Sequence, residues 1–243
     1  HKDWEQIFFN GEKKFLPFET FKIKHTDTIY AISRHGFNHL CSKFPSHNKK
    51  FKIAYLGVED SAVVPIQGYS KKPIIVSCSS IQELKRVYLI PELLSNLKID
   101  FEWHHFGSAV NKLAEEKVLN QIRQFNINDK CFLHGETKND AILEFYKTKS
   151  PELFINLSTA EGLPVSIMEA YSYAIPALAT NIVAVPEIVN SENGFLVDVN
   201  FISSEIGLLI NNFLHSPTTI YQKRINARKT FLKYFNAKKN SKL

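Results

Sequence analysis

Short apolar runs recur along this chain, each followed by a longer stretch with helical periodicity, and few folds accommodate that order. The pattern predicts strands at Thr28–Ser33, Phe51–Leu56, Ile74–Cys78, Phe101–Phe106, Cys131–His134, Leu153–Leu157, Pro176–Thr180 and Gly194–Val197. It predicts helices near Arg34–Lys43, Gln82–Leu97, Ala109–Phe125, Asp140–Lys147, Pro164–Tyr173 and Ser203–Phe213. Such alternation implies βαβ units and an α/β fold with a doubly wound parallel sheet. Runs such as Ile175-Pro-Ala-Leu-Ala179 are apolar on both strand faces, as a sheet covered by helices on both sides requires. No internal repeat or low-complexity stretch interrupts the pattern.

At 243 residues the chain has room for one to two domains of about 150 residues. A cluster of turn-forming and charged residues at Gln67–Pro73 marks a boundary. Residues 1–70, with two strands, bury too little to stand alone and read as the trailing end of a larger domain. Residues 71–215 read as a compact α/β domain, and residues 216–243 as a basic C-terminal helix. The net charge of +6 lies in that helix, where Ser216–Leu243 holds eight Lys or Arg and no Asp or Glu. Tyr221, Ile225, Leu232 and Phe235 recur there at near-helical spacing, predicting an apolar stripe that packs on something. Two readings of the charge stay open: a solvated helix face, or a surface for nucleic acid or anionic lipid.

Cys41, Cys78 and Cys131 are odd in number and include no Cys-x-x-Cys pair, which argues against a disulfide framework and fits a reducing compartment. The longest uncharged run, Ala170–Pro186, contains Pro176 and is too short to span a bilayer. No signal-peptide pattern opens the chain, and a start at His1 rather than Met leaves room for a preceding segment. The absence of Gly-x-Gly, of a P-loop, of His-Glu-x-x-His and of Gly-x-Ser-x-Gly weakens dehydrogenase, NTPase, zinc-hydrolase and α/β-hydrolase readings. Adjacent His104 and His105 fall in one predicted strand and point to opposite faces, so they do not share a metal easily. Asn156-Leu-Ser158 matches a glycosylation sequon but falls at a predicted buried strand and is set aside.

Chemistry concentrates in Ser158-Thr-Ala-Glu-Gly-Leu-Pro-Val-Ser-Ile-Met-Glu-Ala170. A strand ends, a turn carries Glu161 and Gly162, and a helix starts near Pro164, a residue suited to the first helical position. Main-chain N–H groups at such a helix start favour a phosphate. Glu161 stands at the C-terminal edge of the strand, where open α/β sheets bind ligands, and Glu169 lies a turn or so into the helix. Two carboxylates so placed can hold hydroxyl groups at both ends of an elongated ligand. A capping role for Glu161 and a salt bridge for Glu169 fit the same spacing.

The span from Glu161 to Glu169 resembles the two-glutamate motif of retaining glycosyltransferases of family 4, whose GT-B fold pairs two Rossmann-like domains. Further segments resemble that family in order: Ile75–Val87, Trp103–Gly107, Phe132–Gly135 followed by Asn139 and Tyr146, Ala179–Asn181, Val185–Val189, Asn193–Val197, and Arg224–Arg228 with Tyr234–Ala237. The resemblance runs over roughly residues 28–240. It implies a GT-B donor-binding domain with a partial second Rossmann-like domain on the acceptor side, the last helix crossing back onto that domain.

By position, the resemblance gives Glu161 the transferred sugar and the charge at the reacting centre, and Glu169 the ribose hydroxyls. Lys85 and Arg86 would face the diphosphate, where a cation opposes the charge that develops on the leaving group. The main chain of Gly162, Leu163, Pro164 and Val165, through the N–H groups of Gly162, Leu163 and Val165, would cradle the distal phosphate and sugar, and His134, Gly135 and Glu136 would line the base pocket. Read alone, Lys85 and Arg86 also fit a solvated helix start, and His134 an ordinary strand end. The implied reaction moves a hexosyl group with retention from a nucleoside-diphosphate sugar to a hydroxyl of a cell-surface polysaccharide or glycolipid, with no resident metal or cofactor. The resemblance implies a cytoplasmic location with peripheral contact at the inner face of the plasma membrane through the basic helix. The family's arginine is replaced by Ser79 or Ser80, its Gly-Gly pair by Val183-Ala184, and its Phe-Gly turn by Leu163-Pro164. Rival readings are a non-catalytic or truncated nucleotide-sugar-binding module, a GT-B epimerase, and a basic-tail nucleic-acid binder, which ranks low because stacking aromatics are not evident beside the tail.

Overall fold

The computed structural model describes residues 19–66 and 70–241. His1, the Gln67–Tyr69 part of the expected boundary and the last two residues of the basic tail lie outside the described residues.

The first unit holds α1 (Glu19–His25), β1 (Ile29–Ala31), α2 (Arg34–Lys43) and β2 (Phe51–Ile53). The two strands pair in parallel, Ile29 opposite Phe51, and Ile23, Ala31, Leu40 and Phe51 form a small core. Ser33 starts α2 because its hydroxyl accepts the Gly36 N–H at 3.0 Å. Both strands are shorter than the sequence pattern predicts, and α1 was not anticipated.

The second unit follows the alternation: β3 (Ile74–Cys78), α3 (Ile90–Ser95), β4 (Glu102–Phe106), α4 (Lys112–Gln124), β5 (Cys131–Leu133), α5 (Asn139–Lys149), β6 (Leu153–Asn156), α6 (Val165–Ser172), β7 (Ala177–Thr180), β8 (Gly194–Val197) and α7 (Ser203–Leu214). Its sheet is parallel throughout, in the order β5-β4-β3-β6-β7-β8. Alternate strand residues feed two cores. Ile75, Trp103, Leu153, Ile155 and Leu178 face α3, α4 and α7, whereas Val76, Phe106, Phe154, Ala177 and Ala179 face α5 and α6. The chain winds outward from β3 to β5, then returns to place β6 on the other side of β3. The C-terminal ends of β3 and β6 therefore flank the switch point, where a crevice forms in sheets of this kind.

Instead of one helix over Gln82–Leu97, two 3₁₀ turns (Glu83–Lys85 and Val87–Leu89) precede α3. They are separated by Arg86, whose φ of +49° reverses the backbone. Pro164 is the N-cap of α6 rather than its first residue.

A last helix, α8 (Pro217–Thr230), runs into a π-helical turn (Phe231–Phe235) and α9 (Ala237–Asn240). Its buried apolar residues are Ile220, Ala227, Phe231 and Phe235, so the stripe expected through Tyr221, Ile225 and Leu232 is displaced round the helix. Three of the basic residues are buried as well. Lys223 donates to the carbonyls of Ser191 and Gly194, Arg224 to those of Ser150 and Pro151, and Arg228 to that of Ser172 while pairing with Asp60. Among the described residues of the tail, Lys229, Lys233, Lys238 and Lys239 are the exposed basic ones.

This terminal segment ties the units together. Val58 N–H donates to the Phe235 carbonyl at 2.9 Å and Ala237 N–H to the Val58 carbonyl at 3.0 Å. The backbones touch at Gly57, where a Cβ would stand 2.8 Å from Ala237. A second strut is Glu187, whose carboxylate accepts the N–H groups of Arg34 and His35 at the start of α2, at 2.7 and 2.8 Å, and the Tyr55 hydroxyl at 3.0 Å.

Candidate functional site

The loops after β3, β4, β5 and β6 gather at the switch point and are laced to one another. Gly107, at φ +128°, passes so close to the Ser79 carbonyl that a Cβ would lie 2.0 Å from its oxygen, a position open only to glycine. Gly107 N–H donates to the carbonyl of Gly135 at 2.8 Å, and Gly135 has φ +64°. Thr159 N–H donates to the Leu84 carbonyl at 2.9 Å, which joins the loop carrying Lys85 to the loop carrying Glu161.

That junction brings together two of the site residues expected from sequence. Lys85 Nζ lies 2.6 Å from Glu161 Oε1, with both side chains mostly buried. Two residues not anticipated complete the arrangement: Ser158 Oγ donates to the same oxygen at 2.7 Å and Asn156 Nδ2 at 3.2 Å. Ser158 is itself held, its N–H by Asn156 Oδ1 and its carbonyl by the Thr180 hydroxyl. The Asn156–Ser158 pair thus orients a carboxylate; the sequon reading has no part in it.

Arg86 is placed differently. Its Nε donates to the Leu157 carbonyl and its Nη1 to the Val199 carbonyl, both at 2.7 Å, and the guanidinium lies over the Phe201 ring. Those contacts hold Nε and Nη1 on main-chain acceptors, while the buried Nη2 has no hydrogen-bond partner among the described residues.

Beyond Glu161, Leu163 and Pro164 bury their side chains and leave the start of α6 without a side-chain cap or an acidic residue in its first turn. An anion meets the positive end of the helix dipole there. Glu169, in the second turn, faces Asn139 at the start of α5, with Nδ2 to Oε1 at 3.1 Å. Burial raises the Glu169 carboxyl above the ordinary glutamate range, and the Asn139 amide opposes that rise. Burial, with the Glu169 charge as a smaller cause, pushes the Cys78 thiol up to about 11.

His134 stands at the end of β5 beside Gly135 and exposed Glu136. It belongs to a ladder of nearly parallel rings, Phe132–His104–His134–Phe106, with centroids 4.5–5.2 Å apart. Glu102 Oε2 lies 3.2 Å from His104 Nε2, and His104 Nδ1 lies 2.9 Å from His134 Nε2. Hydrogen bonding to His104 holds the Glu102 carboxyl low, and burial lowers both histidines, so the carboxylate accepts and both rings are neutral. The tautomers follow: His104 carries its proton on Nε2, His134 carries its own on Nε2, and His134 Nδ1 is left as an acceptor. His105 points to the opposite face, bonded to Ser77, as the strand geometry requires. Among the described residues no group of three or more His, Cys, Asp or Glu is arranged to hold a metal ion, and no helix is long and apolar enough to cross a membrane.

Comparison with known proteins fits this architecture. The O-antigen biosynthesis glycosyltransferase WbnH of Escherichia coli is 23% identical over a span covering 94% of this chain and 63% of that protein. The probable O-antigen biosynthesis glycosyltransferase WbiN of Escherichia coli matches to the same extent, so the chain spans just under two thirds of these relatives. Among solved structures, Anabaena HepE in complex with UDP and glucose superposes with a TM-score of 0.76 at 16% identity, covering 92% of this chain and 63% of that one. A mutant TarM of S. aureus, in complex with fondaparinux, α-GlcNAc-glycerol and UDP, superposes with a TM-score of 0.76 at 17% identity, covering 96% of this chain and 47% of that one. These likenesses establish a GT-B fold. The model of the family described as glycosyl transferases group 1 matches residues 63–230, well over half of the sequence, and the chain belongs to that family.

Proposed function

We propose that the crevice between the ends of β3 and β6 binds a nucleoside-diphosphate sugar, and that the protein transfers its hexosyl group, with retention, to a hydroxyl of a cell-surface polysaccharide or glycolipid. One observation carries this reading: a lysine and a carboxylate are held together at the switch point, directly before an uncapped helix start, with a second carboxylate one turn further on. A diphosphate needs the cation and the helix start, and sugar and ribose hydroxyls need the two carboxylates. In this reading Lys85 and the first turn of α6 take the diphosphate, Glu161 the sugar hydroxyls, Glu169 the ribose, and the strand end at His134–Glu136 the base. Support also comes from UDP in the complexes of HepE and TarM, proteins of the same fold.

The bond between the anomeric carbon and the diphosphate oxygen breaks, and its electron pair stays on the diphosphate. The acceptor oxygen attacks the anomeric carbon from the same face, and its proton ends on the leaving diphosphate. Lys85 and the α6 dipole stabilise the charge that grows on the leaving group, and a preorganised cation is most effective against charge that appears only in the transition state. The first unit would be the closing part of the acceptor-side domain, and exposed Lys229, Lys233, Lys238 and Lys239 would face an anionic membrane.

Calorimetric titration with UDP, GDP, ADP and CMP tests the donor site. One nucleotide binds selectively, and Glu169→Ala weakens it at least about tenfold, equivalent to about 1.4 kcal/mol. Absence of binding by the folded protein, or binding indifferent to Glu169→Ala, overturns the assignment.

A further inference from the structure

The Lys85–Glu161 contact sets a puzzle for the donor site. The cation meant for the diphosphate and the carboxylate meant for the sugar are already spent on each other, at 2.6 Å, with side-chain exposures of 19% and 13%. We infer that Glu161 is the resident counter-ion of Lys85, that a diphosphate displaces it, and that the exchange makes the site favour an intact sugar nucleotide over the bare nucleoside diphosphate left after transfer. This inference rests on the donor-site reading above.

The two partners differ in how they are held. Glu161 is fixed: Ser158 and Asn156 donate to the same Oε1 that meets Lys85, and both remain in place when the lysine leaves. Among the described residues no hydrogen bond reaches Glu161 Oε2 or a second acceptor of Lys85 Nζ. Lys85 is the mobile partner, a flexible stem at the end of a short 3₁₀ turn whose next residue reverses direction. Its compact charge can swing from carboxylate to phosphate without disturbing the loop, because the backbone there is pinned independently by the Thr159–Leu84 bond and by the Arg86 side chain.

Exchange has a different outcome for the two ligands. With a bare diphosphate, Lys85 gains phosphate oxygens, but Glu161 loses its cation and stands beside new negative charge. With a sugar attached, hydroxyl donors replace the ammonium at Glu161, so the lost pair is offset. The carboxylate therefore penalises product selectively and promotes its release, a role separate from any contact with the sugar in the transition state.

The test is titration of the wild type, Glu161→Gln and Lys85→Gln with UDP, GDP and ADP, and with the sugar nucleotide UDP-glucose or GDP-mannose matching the base that binds. Glu161→Gln keeps the shape and the Ser158 and Asn156 contacts but removes the competing charge. It is expected to tighten the nucleoside diphosphate about tenfold, the order of one charge-assisted hydrogen bond. It also weakens the sugar nucleotide, or tightens it by less, so that the preference between the two narrows or inverts. Lys85→Gln weakens both. If the wild type binds and Lys85→Gln weakens binding, yet Glu161→Gln leaves the diphosphate unchanged or weaker, the counter-ion inference is overturned while the donor site stands. If no nucleotide binds any of the three proteins, the donor-site reading itself falls. Should Glu161→Gln melt below the assay temperature, Glu161→Asp, which withdraws the carboxylate by one methylene, carries the same prediction with a smaller gain.

Discussion

His105 makes the stability of the second, six-stranded unit sensitive to mild acid. Its ring is fully buried in β4, where the Trp103 indole N–H donates to Ser77 Oγ at 2.9 Å and His105 Nδ1 lies 2.8 Å from the same oxygen. Neither the indole nor the hydroxyl carries a charge that would stabilise an imidazolium. A second proton would place a full charge where water does not reach, and burial lowers the group from 6.5 to about 4. Because the folded value is depressed, the stability it contributes is complete above about pH 6.5 and is lost as pH falls toward about 4. Over that window the loss amounts to roughly 3 kcal/mol. For a chain of this size it corresponds to a fall in melting temperature of about 6–12 °C. Burial lowers His104 and His134 too, which adds in the same direction, whereas burial raises Glu152, which stabilises as pH falls. Scanning calorimetry from pH 7 to pH 4 on the wild type and His105→Gln isolates the contribution. The wild type loses its midpoint steeply and the variant loses clearly less. Parallel profiles for the two proteins refute the reasoning.

Three further outcomes follow from contacts elsewhere. Glu187→Ala removes the acceptor of two main-chain N–H groups at the start of α2 and of the Tyr55 hydroxyl, and should lower stability by about 1–3 kcal/mol in denaturant titration, with loss of amide protection at Arg34 and His35. Because burial raises Glu169, nucleotide affinity should decline with falling pH at a higher pH than an ordinary glutamate would give; Asn139→Ala, which deletes the one bond favouring the ionised form, should move that decline higher still in titrations across pH. Burial pushes the Cys78 thiol up to about 11 and the Cys131 thiol up to about 12, so both should react with a maleimide at pH 7 far more slowly in the native protein than after unfolding, as followed by mass spectrometry.

The alternation of short apolar runs with helical stretches made the sheet legible from sequence, because strands buried on both faces, such as β6 and β7, carry nearly unbroken apolar runs. Glu161 and Lys85 were named through the family resemblance, since spacing alone fits a capping role for the one and a solvated helix start for the other. Asn156 and Ser158 were not, although they precede Glu161 by five and three residues. Their polar side chains look out of place in a buried strand, and that anomaly was the available signal. Arg86 is placed in a way its sequence position does not show. It adjoins Lys85 in sequence, but a single left-handed backbone conformation sends its side chain to the carbonyls of Leu157 and Val199. In the C-terminal helix, spacing located an apolar stripe but misplaced its centre. Lys223, Arg224 and Arg228 end on buried main-chain carbonyls, and charge patterning does not separate such residues from solvated ones.

A crystal structure of the protein with the nucleoside diphosphate that binds it tests the central claim most directly. The account predicts the diphosphate between Lys85 Nζ and the first turn of α6, the ribose hydroxyls on Glu169, and Lys85 released from Glu161. A nucleotide bound elsewhere, or one bound here with the Lys85–Glu161 pair intact and no phosphate on the lysine, contradicts it.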